Sequence, residues 1–215
     1  MTTAGSKRGL ASAPHHQINQ DIEMTSYLLS GPPGEPVSLA EAKAYLRVED
    51  DAEDGLVETL IGAARLHVEG VTGRALMAQT WRLVADAWPA DRVIALAVGP
   101  LIALQKIVCY GADGETHEIA LAQIRRETAV SPARLFLPRM IAGAPGLRER
   151  GGIEIDYVAG HGEDPGDVPA DLRQAILALV AYWFEHRDAV IVAGSGAVIP
   201  SGFDRVLAPY RRVRL

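Results

Sequence analysis

The chain has 215 residues, 48% of them hydrophobic, enough to bury one sizeable core or a core with a small satellite domain. A formal charge of −6 argues against a surface built as a whole to grip nucleic acid. The single cysteine excludes an intrachain disulfide, and the longest apolar run, Ala175 to Phe184, is far short of the roughly 20 residues that cross a bilayer, so no membrane partner is expected.

Residues 1–35 read as a flexible N-terminal arm and linker. Met1 to Glu23 are polar and lack periodicity. No apolar signal-peptide core follows Lys7-Arg8, which leads to the expectation of a soluble protein made in the cytoplasm or carried in a particle assembled there. His15-His16 have neither Cys nor carboxylate neighbours to complete a ligand set, so no metal is expected. Gly31-Pro32-Pro33-Gly34-Glu35-Pro36 is a turn-rich linker.

The first helical block spans Ser38 to Gly73. Ser38 and Glu41 have the spacing of a capping box, and a second start at Asp51 crowds acids into a first turn favoured by the helix dipole. Val57, Leu60, Ile61, Ala64, Val68 and Val71 then form one apolar stripe, ended by Gly73. After it the pattern changes to period two, with strands expected at Thr80 to Trp88, Val93 to Val98, Leu104 to Tyr110, Glu115 to Leu121, Arg134 to Leu137 and Gly152 to Val158. Gly111 to Gly114 marks a hairpin turn, and Pro138 to Gly151 reads as a mobile loop. Ile153, Ile155 and Tyr157 should face the core while Glu154 and Asp156 face water or a partner. Cys109, inside an apolar strand, reads as a buried, inert thiol.

A second helical block starts with Pro169 at N1 and buries Leu172, Ala175, Ile176, Leu179, Val180, Trp183 and Phe184. Gly194-Ser195-Gly196 lacks the Lys-Ser/Thr of a phosphate loop and reads as a joint between helices. Pro200 to Asp204 opens a short last helix that Pro209 stops. Tyr210-Arg211-Arg212-Val213-Arg214-Leu215 forms a basic tail without an acid. These elements make an α+β protein: a small helical bundle with long helices near 38–73 and 169–187 and a short C-terminal helix. The helical core takes residues 36–74 and 168–209, and an antiparallel β subdomain is inserted at 79–160.

Several stretches in this order, Pro36-Val37-Ser38-Leu39-Ala40-Glu41-Ala42-Lys43, Leu60 to Arg65 with Glu69 and Thr72-Gly73-Arg74, Val168 to Ile176, and Ile199 to Phe203 through Pro209-Tyr210-Arg211, resemble the head-tail connector (adaptor) proteins of long-tailed phages and gene transfer agents. The resemblance covers roughly Pro36 to Leu215. It implies a non-enzymatic subunit without cofactors, located in the neck of a virion or phage-like particle. There it forms a homo-oligomeric ring, twelve-fold by the resemblance, beneath the portal protein and above tail-side neck proteins such as a stopper or tail terminator. DNA passes through without sequence-specific binding. The resemblance also assigns Tyr210, Arg211, Arg212, Val213, Arg214 and Leu215 to portal binding. Arg65 and Arg173, on the polar sides of the two long helices, are candidates for ion pairs between subunits.

Two other readings compete. A small hydrolase or divalent-cation module could centre on His161 and Asp164, with Glu163 and Asp167 in the same loop, although acids just before a helix are already accounted for by capping and the dipole. Another neck or tail-completion protein would share the partners and differ only in position.

Overall fold

The computed structural model describes residues 23–140, 146–186 and 199–211. The chain builds two adjoining cores, one between helices and one beneath β-sheets. In chain order the elements are β1 (Met24–Ser30), α1 (Leu39–Leu46), α2 (Asp54–Thr72), β2 (Gln79–Ala85), β3 (Val93–Ala95), β4 (Leu101–Tyr110), β5 (Thr116–Glu118), β6 (Arg125–Glu127), β7 (Arg134–Phe136), β8 (Ile153–Ala159), α3 (Ala170–Glu185) and α4 (Phe203–Leu207).

The helix ends follow their local chemistry. Ser38 Oγ accepts the Glu41 N–H at 3.2 Å, and Glu41 Oε2 accepts the Ser38 N–H at 2.9 Å, closing the expected capping box. Asp50, rather than Asp51, caps the single 3-10 turn Asp51–Glu53 that leads into α2. Lys43 lies 2.6 Å from both Asp51 and Asp54, which ties α1 to the start of α2. Gly73 takes the left-handed cap at φ 67°. The α2 stripe is buried at Val57, Leu60, Ile61, Ala64 and Val68 against Leu172, Ile176, Leu179, Val180 and Trp183 of α3, with Phe203 and Leu207 of α4 completing the core.

Two helix starts differ from expectation. Pro169 sits one residue before α3, at its N-cap, because its ψ of 134° keeps it extended. At α4 no side chain caps the helix, and Gly202 turns the chain at φ 86°. The ring of His67 on α2 lies 6.1 Å from both Trp183 and Phe203, so α4 is held to both long helices.

The β region forms two sheets where one was expected. A five-stranded antiparallel sheet runs β1-β2-β8-β4-β5, and a three-stranded sheet runs β3-β7-β6. In β8, Ile153, Ile155, Tyr157 and Ala159 are fully buried, while Glu154 and Asp156 lie on the opposite, half-exposed face. There the Arg82 guanidinium forks onto Asp156 at 2.6 and 2.7 Å and reaches Glu154 at 2.9 Å, and the Tyr110 hydroxyl donates to Glu154 at 2.8 Å.

Met24–Ser30, which the sequence places in a flexible arm, pairs along β2 from Met24↔Ala85 to Ser30↔Thr80. Part of the expected mobile loop is also fixed: Gly151 N–H donates to Asp86 at 2.6 Å, Arg148 N–H donates to the Tyr110 carbonyl at 2.9 Å, and the Arg148 side chain bonds the Gly151 carbonyl. His15, His16 and the Gly194-Ser195-Gly196 joint lie outside the described residues.

Candidate functional site

The cation or hydrolase reading depends on the loop between β8 and α3, and the structure takes its residues apart. Asp164 and Asp167 cap the short turn Pro165–Asp167 reciprocally, with the Asp164 N–H donating to Asp167 Oδ2 at 3.2 Å. His161 points elsewhere, with Nε2 buried and without a partner. Burial, helped by the nearby Arg74 charge, lowers its pKa despite Asp171, so the imidazole is kept neutral. Among the described residues no group of three or more His, Cys, Asp or Glu side chains could hold a metal ion. Cys109 is fully buried, and burial pushes its thiol up to about 11, well away from thiolate reactivity at neutral pH.

What the loop does instead is join the two cores. Gly160 N–H donates to the Pro100 carbonyl at 2.9 Å, His161 N–H to the Leu76 carbonyl at 3.0 Å, and Ala78 N–H to the Gly162 carbonyl at 2.8 Å. Beside this seam lies a polar cluster around Glu69. Its Oε1 accepts the Leu76 N–H at 2.9 Å and Gln79 Nε2 at 2.7 Å, and its Oε2 accepts Arg65 at 2.9 Å. Arg65 also bonds Glu35 of the linker at 2.8 Å. Glu69 therefore ties the end of α2 to the start of β2, and Arg65 ties both to the incoming chain. Helical spacing marks Glu69 only as part of the polar face of α2.

Arg173 is engaged in the same manner. It donates to the Pro36 carbonyl at 3.0 Å and pairs with Glu41, binding α3 to the start of α1. Both arginines thus find carboxylate partners within the chain.

The C-terminal segment is anchored as far as Tyr210. Arg74 Nε donates to the Tyr210 carbonyl at 3.0 Å, and the Tyr210 hydroxyl lies 2.8 Å from both oxygens of Asp171. Burial, reinforced by Asp171, raises the Tyr210 pKa, so the phenol remains a donor. Arg211 pairs with Asp204 on α4. Tyr210 thus packs against the helical core and Arg211 is held at its surface, and Arg212, Val213, Arg214 and Leu215 lie outside the described residues.

Between α2 and the β1–β2 edge lies a groove of about 450 Å³ walled by Leu28, Leu66, Trp81 and Val98, with Arg65, Glu69, Arg74 and Gln79 on its polar side. Leu66 is 61% exposed, a large apolar side chain offered to solvent on a long helix. The geometry assembles no reaction centre among the described residues. It fixes a rigid two-core body with apolar surface left over.

Residues 36–109, from the linker through β4, match the family model of phage gp6-like head-tail connector proteins. The fold extends that match over most of the chain. With 27% identity and a TM-score of 0.73, it superposes on a chain from the neck of an empty GTA particle computed with C6 symmetry, covering 89% of this chain and 97% of that one. A chain from the virion of a native gene transfer agent particle is similar at 27% identity, TM-score 0.71, with 88% and 96% covered. The chain is thus similar to head-tail connector proteins in sequence over residues 36–109 and to neck chains in fold over most of its length. A chain from the neck of a native GTA particle computed with C12 symmetry is also similar, at 26% identity and TM-score 0.65, covering 89% of this chain and 97% of that one. No curated protein sequence matches it.

The Glu69 cluster and the Gly160 seam lock the two cores together, and the Arg173 tie fixes α3 to α1 within the helical core.

Proposed function

We propose that this chain works as a ring of identical copies in the neck of a phage-like particle, seated on the portal of the DNA-filled head and carrying the tail-side proteins. Its role is architectural, without turnover of a substrate. The observation that carries the reading is end-to-end likeness to neck subunits, over nearly nine-tenths of this chain and almost the whole of theirs. Head-to-tail association around a closing rotation is the geometry such a neck requires, and twelve copies is the number we assign. The helical core at 36–74 and 168–209 forms the connecting body, and the β region within 79–160 is inserted into it. DNA passes through the bore, and the net charge of −6 disfavours sticking to its phosphates.

Portal attachment falls to the tail at 210–215. Because Tyr210 and Arg211 are bound to Asp171, Arg74 and Asp204, the docking peptide is Arg212-Val213-Arg214-Leu215, a basic strand-former suited to an acidic groove. Imaging of the purified protein mixed with portal tests the whole reading: rings capping the portal are expected, and protein that never associates overturns it. Deleting Arg212 to Leu215 should leave the thermal melt unchanged and abolish portal attachment, and undiminished attachment would move the docking site elsewhere.

A further inference from the structure

β1 is the outer strand of the five-stranded sheet, and among the described residues it lacks the usual protection of an edge. Its sequence, Met-Thr-Ser-Tyr-Leu-Leu-Ser, holds no charged residue and no proline. Six of its seven residues are exposed, and Met24, Tyr27, Leu28 and Leu29 each keep 43–45% of their surface in water. An open, uncharged strand of this length is a template for pairing with another chain, which folded proteins avoid by shortening or charging their edges. The other sheet edges here are treated in that way. β5 is three residues with Glu118 at its end, β6 is Arg125-Arg126-Glu127, and β3 is three residues long. Leu28 also lines the groove beside the exposed Leu66, so the apolar surface continues from the strand onto α2.

We infer that β1 is a contact strand between copies of this chain: a neighbouring subunit covers its outer edge and the adjoining Leu28–Leu66 surface. This rests on the ring reading, which also limits the geometry. Pairing β1 with β1 of another copy is two-fold and self-complementary, so it would stop at a dimer, whereas a closed ring of many copies needs two different surfaces at each joint. The neighbour therefore meets β1 with some other part of its surface. A bulge between Leu28 and Ser30 leaves Leu29 out of register with β2, and we assign it to that joint.

The full-length protein carrying a photo-crosslinking phenylalanine analogue at Leu29 is assembled on portal, irradiated, and the crosslinked peptides are mapped by mass spectrometry. The expected product is a dimer of this chain joined from residue 29 to a segment outside residues 24–30. A companion variant, Leu29→Lys, should melt like the unaltered protein because the side chain is already exposed, while losing at least tenfold in ring yield. Rings that form with no such crosslink, or with a crosslink to portal or to β1 itself, overturn the contact strand and leave the connector reading standing. A Leu29→Lys protein that forms rings undiminished has the same effect. If the unaltered protein forms no ring on portal, both readings fall together.

Discussion

Gly160→Ala is expected to destabilise the fold by about 4 kcal/mol, through steric overlap together with a strained backbone. Gly160 has φ 146°, and a Cβ there would stand 2.4 Å from the Met77 carbonyl oxygen and 2.7 Å from the Ala78 nitrogen. Both are main-chain atoms held in the seam by neighbouring hydrogen bonds, so neither can swing aside as a flexible side chain would. Relief would require prising residues 76–78 away from 160–162, and with them the helical core from the sheet. Gly166→Ala in the same loop is the control, because nothing lies within 4 Å of its added Cβ; a change within about 0.5 kcal/mol is expected. Urea denaturation of the three proteins checks this. A Gly160→Ala protein with the midpoint of the unaltered chain would mean that the seam is not the joint between the cores.

The seam also shows what the sequence could and could not yield. The α2 stripe was legible because five of its six predicted positions are buried where helical spacing puts them, and Val71 packs at the margin of the same core. β8 was legible for the same reason at period two. β1 was missed because a strand exposed on both faces carries no alternation, and its uncharged sequence after a polar arm resembles more of the arm. The second sheet was merged with the first because three-residue strands are too short to state which neighbour they pair with. At the site, Arg65 and Arg173 were correctly read as lying off the apolar stripes. The Arg65–Glu69 pair follows from i,i+4 spacing, whereas Glu35 and the Pro36 carbonyl are brought to the arginines only when the linker folds back over the helices. The acids of the His161 loop looked like chemistry because they are close in sequence, but capping geometry turns Asp164 and Asp167 toward each other and leaves the imidazole apart.

Glu69 carries the second large effect. Its carboxylate holds the Leu76 N–H, Gln79 and Arg65 together, with only 12% of the side chains of Glu69 and Arg65 exposed. Replacing it by alanine leaves the Leu76 amide and Gln79 without their acceptor and leaves Arg65 with Glu35 alone. A loss of about 3 kcal/mol is expected, or a fall in Tm of roughly 6–12 °C for a chain of this size. The same site sets a pH dependence whose sign is fixed by its burial. Desolvation pushes the Glu69 carboxyl above its ordinary value, against the pull of the Leu76 amide, Arg65 and Gln79. The folded protein then holds this proton more tightly than the unfolded chain does. This contribution is complete below the ordinary carboxylate value and is lost as pH rises from there through the elevated folded value, with no further change beyond it. Glu69→Gln cannot ionise, so its stability should lack that decline, while still falling below the unaltered protein at neutral pH because the amide cannot pair with the Arg65 cation. Denaturation midpoints measured from pH 4 to 8 separate the outcomes: two parallel curves would remove Glu69 as the titrating group, and a Glu69→Ala protein as stable as the unaltered one would remove it as the tie between α2 and β2.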